Sequence, residues 1–469
     1  DNQAQAGPEL QEKAQVGMPV SFIVLAVFFV FTSFAFGCME NWSIATAEVI
    51  LFLGAGISGY LNRDFWSFPK RLKAFALFVL VLIVVAVVQL IPLPVSFWNF
   101  ADKDRIVAYE EGLQSEELLQ SEKYRTDPFG KTVIPAEAER YTPKMPEWLT
   151  LSHAPMSTFK ALVALFAGLC LILLIEDLAR EGDSYLRRLA IIAGLSGLAV
   201  GMIALVGKSL EKKTHILGIR ESERATNAFG PFVNGNHGEA FINLTFPLIC
   251  YMIWRKSKDA KKTSDLWGMR LLTFAFVFLQ GALVFSGTSR GNFLTVALVP
   301  VAGLMHLGLY GKKKTALVLG LFILLLLAGG GWFMVQDGLL SSHVRNQMNA
   351  NVMDSLSFAG KGLNSFEETF PASVEKWYLG LPMRNEFLEN EYLQLFYEGG
   401  ILPFIGAVAL CFYVIYQAAA LLFVRGGRFW LLPPLVAESL RASFDMSFHV
   451  FPLVAVFLLI FTIAVRRRR

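Results

Sequence analysis

Hydrophobic residues in this chain come in long unbroken blocks rather than in alternation. Twelve blocks stand out, at about residues 20–37, 44–61, 72–91, 157–175, 188–206, 237–254, 269–287, 291–309, 314–333, 399–423, 429–444 and 450–465. A helix needs about 20 predominantly apolar residues to cross a bilayer. In lipid, only helices and closed barrels satisfy their own backbone. The pattern therefore predicts an all-α polytopic membrane protein with about 12 transmembrane helices. The eleventh block is the least regular, because Pro433, Pro434, Glu438 and Arg441 interrupt it.

The segments between blocks differ in charge. Arg63, Lys70, Arg71 and Lys73 follow the second block, and Arg180, Arg187 and Arg188 the fourth. Arg255, Lys256, Lys258, Lys261 and Lys262 follow the sixth, and Lys312, Lys313 and Lys314 the eighth. Arg425 and Arg428 follow the tenth, and Arg466 to Arg469 close the chain. Cytoplasmic loops carry the Lys and Arg excess, so this alternation predicts that both termini lie inside. Residues 1–19 then form a cytoplasmic N-terminal segment, and residues 20–469 a single transmembrane domain. The first block has no A-x-A cleavage site after it and reads as a retained helix. Three substantial segments fall on the outer side: residues 92–156, 207–236 and 334–398.

Composition supports the same class. The 469 residues are 54% hydrophobic and 17% charged, and mean hydropathy is +0.49. A soluble enzyme is excluded, since so many apolar blocks could not all be core helices of one domain. Net charge is only +4, and no nucleic-acid partner is expected. The four cysteines, Cys38, Cys170, Cys250 and Cys411, lie far apart in or beside apolar blocks, with no CxxC or Cys/His grouping. They read as small buried hydrophobes, and no metal site is expected. The chain carries no Walker or dinucleotide motif, so no cofactor is expected and the energy for any chemistry comes from the substrate or a gradient.

Candidate chemistry gathers on the outer side. Arginines there run against the charge bias. They include Arg220 and Arg224, Arg290 in FSGTSRGNFL, and Arg345 and Arg384. Arg290 lies between Gly287 and Gly291, with Ser286, Thr288 and Ser289 as donors beside it. Several converging guanidinium groups would bind phosphate or diphosphate in a bidentate fashion. The stretch RATNAFGPFVNGNHGEAFINLTFPL, residues 224–248, sets polar backbone directly against an apolar block. Asn234, Asn236 and His237 could meet sugar hydroxyls there, or one Asn could simply cap the helix. In RNEFLENEYLQLFYEGGILPF, residues 384–404, Glu391, Gln394 and Glu398 share one helical face. That face is either a solvated acidic stripe or the source of a base opposite the arginines.

These segments together resemble the O-antigen ligase and polymerase superfamily of bacterial polysaccharide assembly. The resemblance rests on Arg224 with GPFVNGN at 230–236, the SRG turn at 289–291, GKGLNSF at 360–366 and ENEYLQLFYEGG at 389–400. Weaker echoes are ENW at 40–42, QLIPLP at 89–94 and DMSFHVFP at 445–452. The resemblance covers most of the chain and implies a GT-C-like membrane glycosyltransferase of the inner membrane, with its active site facing the periplasm. Its donor would be an undecaprenyl-diphosphate-linked glycan. Its acceptor would be a sugar hydroxyl on a lipid-linked repeat or on lipid A–core, with membrane lipid around it. Arg224 and Arg290 would steady the leaving diphosphate without metal or ATP. The family's helix usually offers His where this chain has Glu389, and a second His where it has Phe387. Glu389 would therefore take the acceptor-side role. Arg220, Asn234, Asn236, His237, Ser289, Asn390, Glu391 and Tyr392 would bind substrate. A polysaccharide-lipid transporter without covalent chemistry is the alternative. It should place ionisable groups at mid-span, where only Glu438 and Arg441 stand out.

Overall fold

A computed structural model describes residues 18–101, 145–209, 228–258, 262–286, 301–305, 339–370, 387–424 and 427–465, with short pieces at 106–107, 110, 215–216, 220–221, 295 and 298–299. The described architecture is almost wholly helical. Its helices are α1 (Val20–Phe34), α2 (Asn41–Leu61), α3 (Lys73–Gln89), α4 (Val95–Ala101), α5 (Pro155–Glu181), α6 (Asp183–Ser209) and α7 (Gly235–Ser257). They continue with α8 (Thr263–Ser286), α9 (Leu339–Asp354), α10 (Phe366–Thr369), α11 (Glu391–Gly399), α12 (Ile401–Ala420), α13 (Leu432–Arg441) and α14 (Phe451–Ala464).

Among the described residues, four helices are long and apolar enough to cross a membrane: Asn41–Leu61, Pro155–Glu181, Asp183–Gly207 and Ile401–Phe423. Three shorter apolar helices, α1, α3 and α14, pack among them. The blocks expected at 291–309 and 314–333 lie largely or wholly outside the described residues. The block at 429–444 contains only the 10-residue helix α13, preceded by a 3-10 turn. Pro433 and Pro434 sit in its first turn and lack the N–H that would extend it backwards. Ten residues rise about 15 Å, half the hydrocarbon core.

Helix α14 is apolar all round and buried along most of its length, as a helix enclosed by others should be. Phe457 and Phe461 meet Phe75 of α3, and Phe451 meets Phe28 of α1. Lipid supplies little hydrophobic drive between helices, so close packing over small residues matters more. Thr245 and Ile249 of α7 lie directly over Gly197 and Gly194 of α6, where a Cβ would collide. Outward faces stay apolar and exposed, as at Leu53, Phe274, Phe278 and Phe412.

Helix α3 has a polar clamp at each end. At its start, the buried Glu176 of α5 accepts hydrogen bonds from the backbone N–H groups of Lys70, Arg71 and Leu72, at 3.1–3.3 Å. A carboxylate there satisfies orphan donors and faces the positive end of the helix dipole. Arg180 donates to the carbonyls of Asp64 and Ser67, which fastens the same loop. At its far end, Gln89 donates to the carbonyls of Ala359 and Glu398 and accepts from Leu363 N–H. Residues 150–158, 359–366 and 394–400 therefore meet at one end of the bundle, and residues 62–72 and 176–180 at the other. Two short antiparallel strands, β1 (Pro92–Pro94) and β2 (Trp148–Thr150), also pair near the Gln89 end, with Pro94 opposite Trp148. Val95 N–H and the Trp98 indole extend that pairing to the carbonyls of Glu147 and Leu149.

Candidate functional site

Two polar assemblies are built on helix α11. Its N-cap is Asn390, whose side-chain oxygen accepts from Leu393 N–H at 3.1 Å. Glu389 precedes the cap in the left-handed region, at φ 57°. A residue with a Cβ costs about 1–3 kcal/mol there, and such outliers cluster at functional positions. Gln394 stiffens this turn from below. Its oxygen accepts from Leu388 N–H at 3.0 Å, and its amide donates to Glu398 at 3.0 Å.

Glu398 anchors the first assembly. Its carboxylate accepts from Asn364 N–H at 2.8 Å and Phe366 N–H at 3.1 Å, and its own carbonyl accepts from Gly362 N–H. The GKGLNSF element thus wraps the end of α11. Gly360 follows the wrap at φ +73°, and a Cβ on it would collide with the Glu398 carbonyl. Burial pushes the Glu398 carboxyl up, and nearby His449 and the donors of Asn364, Gln394 and Phe366 only partly reverse that. With its oxygens engaged in this way, Glu398 is a scaffold residue.

The second assembly surrounds Arg441, which is 2% exposed. Its guanidinium donates to the Asp445 carboxylate through Nε at 2.8 Å and again through a terminal nitrogen. The same terminal nitrogen reaches the carbonyl of Asn236 at 2.7 Å, in the first turn of α7. Burial opposes ionisation of Asp445, but the Arg441 guanidinium outweighs it and holds the carboxyl below its ordinary value. Glu239 and Glu438 lie within electrostatic reach of Arg441. His237 is fully buried, and among the described residues neither ring nitrogen has a hydrogen-bond partner. It stands within electrostatic reach of Asp445, Arg441 and His449.

Helix α11 docks on the same turn. Glu391 N–H donates to the Ala442 carbonyl at 2.8 Å, and the Tyr392 hydroxyl donates to the Ser439 carbonyl at 2.8 Å. One oxygen of Glu391 accepts from Phe448 N–H at 2.8 Å, and the other meets His449 Nδ1 at 2.9 Å. Burial disfavours the imidazolium, but the Glu391 carboxylate outweighs this and pushes His449 up to about 9. A third of the His449 side chain remains exposed, so the ion pair, rather than burial, sets the direction.

The segments 234–239, 389–398 and 438–449 are therefore brought together. Asn236, His237, Glu391 and Tyr392 lie on this junction. Asn234 caps α7 through a 2.9 Å bond from Asn236 N–H, and Asn390 caps α11. Arg224, Arg290 and Ser289 lie outside the described residues. Arg220 is described only as backbone, in a two-residue strand paired with His215–Ile216. Sequence reasoning did not assign roles to Arg441, Asp445 and His449. The available signals were charges inside an apolar block and the following DMSFHVFP stretch. No protein-family model matches the chain, and no curated protein matches it.

Proposed function

We propose that this protein is a glycosyltransferase of the bacterial inner membrane, with about 12 spans, a GT-C-like architecture and both termini in the cytoplasm. It moves a glycan from an undecaprenyl-diphosphate donor to a sugar hydroxyl at the periplasmic face, as an O-antigen or exopolysaccharide polymerase or an O-antigen ligase. The observation that carries this reading is the meeting of three polar segments, 234–239, 389–398 and 438–449, at one junction of an otherwise apolar bundle.

In the reaction, the acceptor oxygen forms a bond to the anomeric carbon as the bond from that carbon to the diphosphate oxygen breaks. The acceptor proton passes to the Glu389 carboxylate, and the lipid diphosphate leaves with the bonding electron pair. Arg224 and Arg290 steady its growing negative charge. Asn234, Asn236, Asn390 and Tyr392 hold sugar hydroxyls, and Arg220 and Ser289 hold the diphosphate end. The leaving group carries its own activation, so the reaction needs no ATP.

Burial of Glu438, Arg441 and Asp445 favours a second reading, a polysaccharide-lipid transporter, because buried ionisable groups often mark transport paths. The test is the product formed by purified protein with a lipid-diphosphate glycan. Longer lipid-linked chains indicate a polymerase, and glycan on lipid A–core indicates a ligase. Movement of intact donor across a vesicle membrane with no new glycosidic bond rejects the enzyme reading. For Glu389→Gln, transfer near wild type over pH 6–8 would exclude Glu389 as the base. A loss of a hundredfold or more, partly recovered by Glu389→His, would support it.

A further inference from the structure

The turn between α13 and α14 makes contact with both of the other segments. From Arg441 it holds the first turn of α7 through the Asn236 carbonyl. From Phe448 and His449 it holds Glu391, at the head of α11. Ala442 and Ser439 add two backbone acceptors for α11. Asp445 fixes Arg441 from within the same turn and also accepts from Met446 N–H at 2.8 Å. None of these contacts repeats another. The chain distance they bridge is large, 205 positions from Asn236 to Arg441 and 57 from Glu391 to Phe448.

We propose that Arg441 and His449 are positioning residues: together they make residues 439–449 a joint that fixes the 234–237 segment and the 389–392 segment relative to each other. The proposal rests on the transferase reading for what the joint serves, but not for its existence. Arg441 reaches the first turn of α7 through the Asn236 carbonyl, and Glu239 of the same helix lies within its electrostatic reach, so the guanidinium holds the backbone that carries Asn236 and His237. His449 reaches α11 through Glu391, one and two residues beyond Asn390 and Glu389. A charged donor held by a second charge suits this task, because paired and hydrogen-bonded groups keep one geometry; Arg441 does so while buried, and His449 with a third of its side chain exposed. The groups facing His449 are Glu391 and Glu398 from α11 and His237 from α7, with the Phe387 ring at 5.2 Å. Breaking one arm of such a joint loosens the segment on the other arm as well.

The experiment uses the full-length protein in detergent, as wild type, Arg441→Lys, His449→Gln and Glu391→Gln. Hydrogen exchange reports local opening of each segment without requiring turnover. In His449→Gln, exchange should rise about tenfold or more in both 388–394 and 234–240. Glu391→Gln should match it, and the double variant Glu391→Gln/His449→Gln should be no worse than either single change. Loosening confined to 388–394 would overturn the joint. Kinetics with a lipid-diphosphate donor then test positioning. His449→Gln should raise the acceptor KM about tenfold with kcat within about twofold, and Arg441→Lys, which lacks the fork that meets Asp445 and Asn236 together, should lose part of the exchange protection in 234–240. An equal fall in kcat with both KM values unchanged would overturn the positioning role. A wild type that transfers no glycan would remove the proposed reaction, while the exchange results would still decide the joint.

Discussion

Replacing Glu398 by glutamine changes one oxygen to an NH2 group and should nonetheless open the wrap around α11. In the native arrangement one carboxylate oxygen serves Asn364 N–H, and the other serves Phe366 N–H and the Gln394 amide. Glutamine offers a single acceptor. Turned to serve Phe366 and Gln394, it sets its NH2 against Asn364 N–H, donor to donor. A hydrogen bond to a charged group is worth about 1.5–3 kcal/mol, and a neutral one about 0.5–1.5. Losing one charged bond costs about 2 kcal/mol, and reducing two others to neutral strength costs about 2 more. The sum, about 4 kcal/mol, is roughly a thousandfold in a local opening equilibrium at 1.4 kcal/mol per tenfold. This figure applies to the ionised carboxyl; burial works against that form and the three donors work for it. The assay is hydrogen exchange at the Asn364 and Phe366 amides, normalised to unstructured rates. Exchange within tenfold of wild type would refute the reasoning, showing a neutral carboxyl or donors satisfied in another way.

Three further outcomes are expected. A cysteine at Phe358, which is 84% exposed, or at position 130 should react with an impermeant reagent from outside. A cysteine at position 260 should stay protected, and outside labelling there would reverse the orientation. Position 360 is unsuitable for this purpose because Gly360 has no room for a side chain. The His449–Glu391 pair raises His449 from 6.5 to about 9, so its contribution is fully present below about pH 6.5 and fades as pH rises through 9. The difference in melting temperature between wild type and His449→Gln should shrink over that window, and a constant difference would contradict it. Removing Arg224 or Arg290 should lower kcat by roughly 10²–10³, about 3–4 kcal/mol, with only partial rescue by Lys. Unchanged turnover would exclude a role on the leaving group.

The long helices were legible because continuous hydrophobicity needs no partner to be recognised. Helix α7 begins at Gly235 and α12 at Ile401, close to where the apolar blocks begin. Glu391, Gln394 and Glu398 were legible as one face of a helix, but not as two kinds of residue. Glu398 faces backbone N–H groups about 30 positions upstream, and a period in sequence says nothing about such partners. Arg441 was hard to read for a similar reason. Its i,i+4 partner Asp445 is in plain view, whereas Asn236 contributes a carbonyl, which any residue type could supply. The irregular eleventh block carried the warning. Charge among prolines made it a poor span, and the structure uses it as a short helix that ends at Arg441.

The pairing of β1 with β2 has a consequence for how such a protein can diversify. Because Pro94 lies opposite Trp148, the chain leaves the bundle and returns to it at one spot. The two ends of the intervening chain are thus held together at a closed neck rather than at distant points. Once a neck is closed, doubling the length of the excursion costs only about 0.6 kcal/mol. The chain between Glu110 and Met145 can change in length or sequence while the neck, with Val95 and Trp98 in it, keeps α3 and α5 in register. For an engineer it is a grafting port, and for evolution it is a place to change sequence without renegotiating the helices it joins.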